Sequence, residues 1–147
     1  MMNGHQITRA MLSDPVTRPR YQGVVTRDHV KIPRERPSFI IANTDDSSGP
    51  GKHWVVFYFP KRGKPEFFDS LGKSPSHYGF EVRGNFKRNK RKLQASDSRV
   101  CGHYALFYAL QRSLGIPMEK ILANFGNNQD VNDYKVHRYI SSYFGLP

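Results

Sequence analysis

The run His53-Trp54-Val55-Val56-Phe57-Tyr58-Phe59 leaves this chain little choice of architecture. β-branched and aromatic side chains suit the pleated surface of a strand, and here they fill both alternating sets of positions. A strand with one wet face would alternate apolar with polar residues. This one does not, so it reads as a central strand covered on both faces. Lys61-Arg62-Gly63-Lys64 then makes a hairpin turn, and Pro65 to Asp69 pairs back as the next strand.

The rest of the pattern fills in around that pair. Ser38 to Asn43 is a short apolar run that suggests a buried strand, and Asp45 to Lys52 is a loop rich in Asp, Ser, Gly and Pro. Leu71 to Tyr78 is turn-rich, and Phe86 to Gln94 is expected to form a further strand. At Cys101 the period changes. Ala105, Leu106, Tyr108, Ala109 and Leu110 wrap most of a helix that runs to Leu114, so that helix is mostly buried, with Gly115 as its stop. Pro117 can open a second helix reaching about Asn124. A last amphipathic helix spans Val131 to Phe144, with Val136, Tyr139, Ile140 and Tyr143 on one face. At the other end, Gln6 to Leu12 makes a short amphipathic turn on Ile7, Ala10 and Met11 before Pro15 stops it. Residues 13–37 carry Pro15, Pro19, Pro33 and Pro37 and read as an irregular surface wrap. The expected class is α+β, a small mixed or antiparallel sheet flanked by helices, with residues 1–147 forming one domain and 1–37 largely irregular.

Charge narrows the partners. Twenty-three Lys and Arg against 12 Asp and Glu give +11, which favours a polyanion such as DNA, or else a solvated basic surface. The densest stretch holds Arg83, Lys87, Arg88, Lys90, Arg91 and Lys92, candidates for DNA contact. No apolar run approaches the ~18 residues that span a bilayer, and no hydrophobic signal core opens the chain. A single cysteine permits no internal disulfide and fits a reducing compartment. A monomeric intracellular protein without a membrane partner is expected.

That cysteine, Cys101, begins the buried helix. A thiol there meets unpaired amide N–H groups and the positive end of the helix dipole, which favour thiolate. Gly102 beside it has no side chain, so a substrate could approach the sulfur closely. Taken alone, a lone cysteine is more often a packed small hydrophobe. His53 opens the central strand after a loop and could take and return the thiol proton, although a lone histidine is more often structural. His5, His29, His77, His103 and His137 compete, and His103 points to another face of the helix than Cys101. Asp69 ends the strand paired with that of His53 and could orient the imidazole; Asp-Ser-Leu-Gly is equally good turn chemistry. Gln94 could donate to an oxyanion together with the Cys101 amide, or be an ordinary surface glutamine. The order is His, acid, Gln, Cys, with steps of 16, 25 and 7 residues. It excludes the papain order, and the caspase pattern has Gln-Ala-Cys contiguous. No metal site is expected.

These segments together resemble the adenovirus-type (adenain-like) cysteine proteases, of one clan with SUMO- and ubiquitin-like-protein proteases. The likeness rests on Ile40-Ile41-Ala42-Asn43-Thr44, Gly51-Lys52-His53-Trp54, Phe68-Asp69-Ser70-Leu71-Gly72 and Gln94 through Cys101-Gly102. It covers roughly residues 20–110 and extends to the shortened proteases of virus-like DNA transposons and related small DNA viruses. The resemblance implies a nucleophile, Cys101, at the start of a buried helix, with His53 as base, Asp69 as orienting acid and Gln94 as oxyanion donor. It implies that Trp54 packs beside the imidazole and narrows the cleft, favouring small residues, often Gly, at the scissile bond. It further implies cleavage of capsid and core precursors late in virion maturation, in a virion or host nucleus, with DNA as a stimulator and no cofactor required. Two departures stand out. Asp replaces the adenoviral Glu, and without a second cysteine a disulfide-linked peptide activator would have to use Cys101 itself. The same four residues would serve a deubiquitinase or SUMO-type isopeptidase. A third reading is an inactive protease fold that binds DNA in a virion.

Overall fold

A computed structural model describes residues 1–49 and 51–147; the loop expected over 45–52 includes Pro50, which lies outside the described residues. Along the chain come α1 (Gly4–Ser13), β1 (Tyr21–Val25), β2 (Ser38–Asn43), β3 (Trp54–Phe59), β4 (Glu66–Phe68) and β5 (Lys87–Arg88). The helices α2 (Cys101–Ser113), α3 (Met118–Leu122) and α4 (Gln129–Phe144) follow. The strands form one mixed sheet in sequence order, antiparallel at its centre and parallel at both edges. The α+β expectation holds.

Alternation along β3 divides the core in two. Trp54, Val56 and Tyr58 face the helices, in one cluster with Ile7 and Met11 of α1, Tyr104 and Tyr108 of α2 and Ile140 of α4. Val55, Phe57 and Phe59 face the other way, packed with Phe67, Phe80 and Phe86. On that side no α-helix among the described residues covers the sheet; Tyr78, at the end of the short 3-10 turn Pro75–Tyr78, and Val30, Phe80, Val82 and Phe86 of the connecting segments do so. Both faces of β3 are dry because aromatic loops replace a second helical layer.

Helix α2 is tied to the sheet by charge as well as by packing. Glu66 of β4 is 5% exposed and receives the Arg112 guanidinium in a bidentate pair at 2.9 and 3.0 Å, with the Tyr108 hydroxyl as a third donor. Arg112 also lies over the Tyr58 ring at 4.4 Å. Such a pair fixes register where one partner alone would be a buried, uncompensated charge.

Four expectations need correction. Tyr21–Val25 lies inside the supposed irregular wrap yet pairs parallel with β2, in the proline-free stretch between Pro19 and Pro33. Helix α1 starts earlier than Gln6, because the Asn3 side chain caps Gln6 N–H at 2.9 Å and the Gln6 side chain returns the bond at 2.8 Å. The strand expected over Phe86–Gln94 stops at Arg88, since Asn89 turns inward and residues 93 and 94 bond to the Ser70 carbonyl instead. On α4, Val136 and Ile140 are buried, whereas Tyr139 and Tyr143 are 44% and 46% exposed and stack on each other.

Candidate active site

Helix α2 begins at Cys101 with Val100 as its cap residue, and no side chain caps its first amides. The sulfur therefore sits beside unpaired N–H groups, its own included. Across from it, His53 immediately precedes β3. The His53 carbonyl accepts from Thr44 N–H at 2.8 Å, and Asn43 Oδ1 accepts from Lys52 N–H at 3.0 Å, so the end of β2 holds the backbone at His53. His53 Nε2 lies 2.5 Å from Asp69 Oδ1, and the Cys101 thiol lines the same cleft as the ring. With Nε2 engaged by the carboxylate, Nδ1 is the nitrogen left for sulfur.

Asp69 follows β4 directly and is fully buried. Four donors surround its carboxylate: His53, Leu71 N–H at 3.1 Å, Lys73 N–H at 3.0 Å and the Tyr78 hydroxyl at 2.6 Å. Its backbone is clamped by Asn89, which accepts from Asp69 N–H at 3.0 Å and donates to Asp69 O at 2.5 Å. The Asp-Ser-Leu-Gly turn and the imidazole contact are thus one structure. Gly72 is required in it: its φ is +74°, and a Cβ there would come within 2.8 Å of the Lys90 carbonyl.

Gln94 is held by Ser70, whose hydroxyl donates to Gln94 Oε1 at 2.6 Å while its carbonyl accepts Gln94 N–H at 3.1 Å. That fixes the amide nitrogen toward Ser98, with 3.1 Å to the carbonyl and 3.0 Å to the hydroxyl. His53, Gln94 and Cys101 line one cleft of about 530 Å³. The four residues singled out from the sequence are brought together.

The electrostatics follow from the partners. Burial pushes the His53 imidazole down, but the hydrogen bonds and charges of Asp69 and Cys101 outweigh it, and its pKa is pushed up to about 9. Burial pushes Asp69 up, yet His53 and its other donors hold the carboxyl below its ordinary value. Burial and the adjacent carboxylate keep the Tyr78 phenol protonated.

No protein-family model matches the chain. Over 115 residues it is 27% identical to "Cysteine protease S273R" of African swine fever virus, Malawi tick isolate, a match covering 67% of this chain and 42% of that protein. The Namibian warthog isolate's "SUMO-1 cysteine protease S273R" matches to the same extent. The chain is a homologue of a viral cysteine protease. It spans less than half the length of these relatives. The crystal structure of selenomethionine ASFV pS273R protease is 26% identical over 69% of this chain and 44% of that one, with a TM-score of 0.45. The central domain of Legionella pneumophila Lpg1148 shares the fold over 97% of this chain and 98% of that one, at 16% identity and a TM-score of 0.52.

Other expected site residues lie differently. Trp54 is buried against Gly102, but it lines the neighbouring cavity and donates its indole N–H to Met2 O at 2.9 Å. The space a Gly102 side chain would take is already filled, with Met2 Cβ 3.0 Å and Trp54 Cδ1 3.5 Å away. Met1 reaches Cys101 itself, its Sδ 3.8 Å from Cys101 Sγ. In the basic run, Arg91 caps the end of α3 through the carbonyls of Leu122, Phe125 and Gly126. Lys87 pairs with Glu119, Lys92 meets Ser96, and Arg88 reaches the Gly72 carbonyl at 3.3 Å. Arg83 and Lys90 are exposed without a partner among the described residues. The sequence reading missed Ser70, Tyr78 and Asn89. Ser70 stood within a quoted segment; nothing local marks Asn89, whose role exists only once β4 lies beside it.

Proposed function

We propose that the chain is a cysteine endopeptidase whose nucleophile is Cys101. One observation carries this reading: an imidazole 2.5 Å from a buried carboxylate lines one cleft with a thiol at a helix start. The sulfur attacks a peptide carbonyl, forming an S–C bond, and the oxyanion is met by the Gln94 amide and the Cys101 N–H. As the C–N bond breaks, protonated His53 gives its proton to the leaving amine. Water then attacks the thioester with His53 as base, releasing the acid and free thiol. Asp69 holds the ring orientation and its charge throughout. No step calls for a metal or organic cofactor.

The natural substrates on this reading are virion precursor proteins cut at small residues or Gly, with DNA as a stimulator. Homology to a viral cysteine protease supports the first, and a charge of +11 with Arg83 and Lys90 unengaged supports the second. A SUMO-type isopeptidase is the second reading, favoured by the likeness to the warthog isolate's SUMO-1 cysteine protease S273R. A mass-spectrometric cleavage profile on a peptide library, with and without DNA, tests all three. Cuts by the wild type that vanish in Cys101→Ala and His53→Ala are expected, with losses of about a million-fold as in other nucleophile–base sites. Cuts that persist in Cys101→Ala would overturn the assignment. Covalent capture by a SUMO C-terminal electrophile would favour the isopeptidase.

A further inference from the structure

The cleft that holds Cys101 is cationic, and one cation comes from each element that carries the chemistry. Lys52 immediately precedes His53 and Arg99 lies two residues before Cys101; both line the cleft. Both are exposed, and neither side chain has a hydrogen bond or ion pair among the described residues. Arg27 lines it too, but is committed: it donates to the Thr44 and Tyr78 carbonyls at 3.2 and 3.4 Å and pairs with Asp46 at 3.4 Å. No Asp or Glu lines the cleft. Asp69 lies behind His53, fully buried and saturated by its own donors. Asp46 is taken up by Arg27, and Asp97, between the lining Ser96 and Ser98, is exposed and does not line the cleft.

From this we infer that the substrate is a peptide with acidic side chains flanking its scissile bond, recognised by Lys52 and Arg99. The inference rests on the endopeptidase reading and deepens it. A chain crossing the sulfur must pass between the loop that leads into β3 and the loop that leads into α2. Each loop offers an unpartnered cation there, in a concave site where field lines concentrate. Unpaired lysine and arginine on both walls favour a carboxylate and repel a substrate cation, so selection works by attraction and by exclusion. DNA laid across Lys52 and Arg99 would compete with the peptide, so DNA that stimulates cleavage binds elsewhere, at Arg83 and Lys90.

The test has two arms. In the first, a peptide that the wild type cleaves is varied at each flanking position among Asp, Asn and Lys, and kcat/KM is measured. Asp at one or more positions should be favoured over Asn by about two- to fivefold, the ordinary worth of an exposed charge pair. Lys should be cleaved more slowly than Asn. The preference should collapse in Lys52→Gln/Arg99→Gln, and at roughly 0.5 M salt, where screening acts within a few ångströms. In the second arm the only thiol is alkylated, its sulfur displacing iodide from anionic iodoacetate or neutral iodoacetamide. The iodoacetate-to-iodoacetamide rate ratio should exceed that of a free cysteine peptide and fall to it in the double variant. Cys101-dependent cleavage indifferent to Asp, Asn and Lys would overturn the inference and leave the protease standing. A ratio equal to that of the free thiol would overturn it as well. A raised ratio with no peptide cleaved at all would instead sink the protease reading and leave an anion-selective thiol site.

Discussion

His53 and His103 are both 8% exposed, and their ionisation runs in opposite directions. The first is bonded to Asp69, and the influence of Asp69 and Cys101 outweighs burial, so its pKa is pushed up to about 9. The second has neither ring nitrogen bonded, and burial, then the charges of His137 and the N-terminal amine, push it down to about 4. Equal burial with opposite outcomes means that partners decide, not depth. It also separates the working imidazole from the structural one on a ground that exposure alone would not supply.

The sharpest way to break that contrast is to turn His53 toward the condition of His103. Asp69→Asn removes the carboxylate but keeps the shape. The imidazole loses its opposite charge, and the asparagine NH2 must face other donors at Tyr78, Leu71 or Lys73. Activity should fall by about 10²- to 10⁴-fold, the upper figure being that of an orienting aspartate in a serine triad. The direction of the pH profile is more telling than the size. Protonated His53 supplies the leaving-group proton, so kcat/KM in the wild type should decline as pH rises through about 9. In Asp69→Asn that decline should move to lower pH, and NMR titration of His53 should move with it. An alkaline limb that stays in place would remove Asp69 from the control of His53.

How much of this was legible beforehand depends on what each residue needs. Cys101, Gln94, Asp69 and His53 announce themselves by order and spacing; Cys101, Asp69 and His53 also sit at the boundaries of elements that their own neighbours specify, whereas Gln94 lies between β5 and α2. The run from Trp54 to Phe59 likewise fixed a doubly buried strand. It could not say that helices cover one face and aromatic loops the other, because Phe80 and Phe86 carry no period of their own. The basic run changes in folding for a related reason. Lys87, Arg91 and Lys92 read as free charge until folding brings Glu119, the end of α3 and Ser96 alongside. Asn89 and Tyr78 act on Asp69 from 20 and 9 residues away, through contacts with no sequence periodicity.

Tyr78→Phe probes the same network from its far side. It deletes one hydrogen bond to a charged, buried carboxylate, a loss of about 1.5–3 kcal/mol of stability by denaturant unfolding. Tyr78 touches Asp69 directly, and its ring centroid is 5.7 Å from that of His53, so it acts as a positioning residue. With one donor fewer, the carboxylate is more basic and holds the imidazolium harder. The alkaline limb should therefore stay or shift upward while kcat/KM drops only several-fold. A downward shift, like that of Asp69→Asn, would mean that the hydroxyl matters for geometry more than for charge.

The smallest effect tests the other half of the contrast, by giving His103 what His53 has. Its ring centroid lies 4.7 Å from that of exposed His137, across a cavity also lined by Arg99. His137→Glu replaces a neighbouring imidazole with a carboxylate. In the wild type, His103 stays neutral when folded but takes a proton when unfolded between pH 6.5 and about 4. The unfolded state binds more protons in that window, so this residue makes stability fall on acidification there, by at most about 1.4 kcal/mol per pH unit. Its contribution is flat above the window. His53 has the opposite sign: its stabilisation is complete below 6.5 and disappears as pH rises through about 9. In His137→Glu the His103 resonances should titrate well above pH 4, and the acid loss of stability should shrink. If His103 still titrates near 4 beside a glutamate, burial outweighs the partner at that site, and the rule drawn from His53 does not extend across the helix.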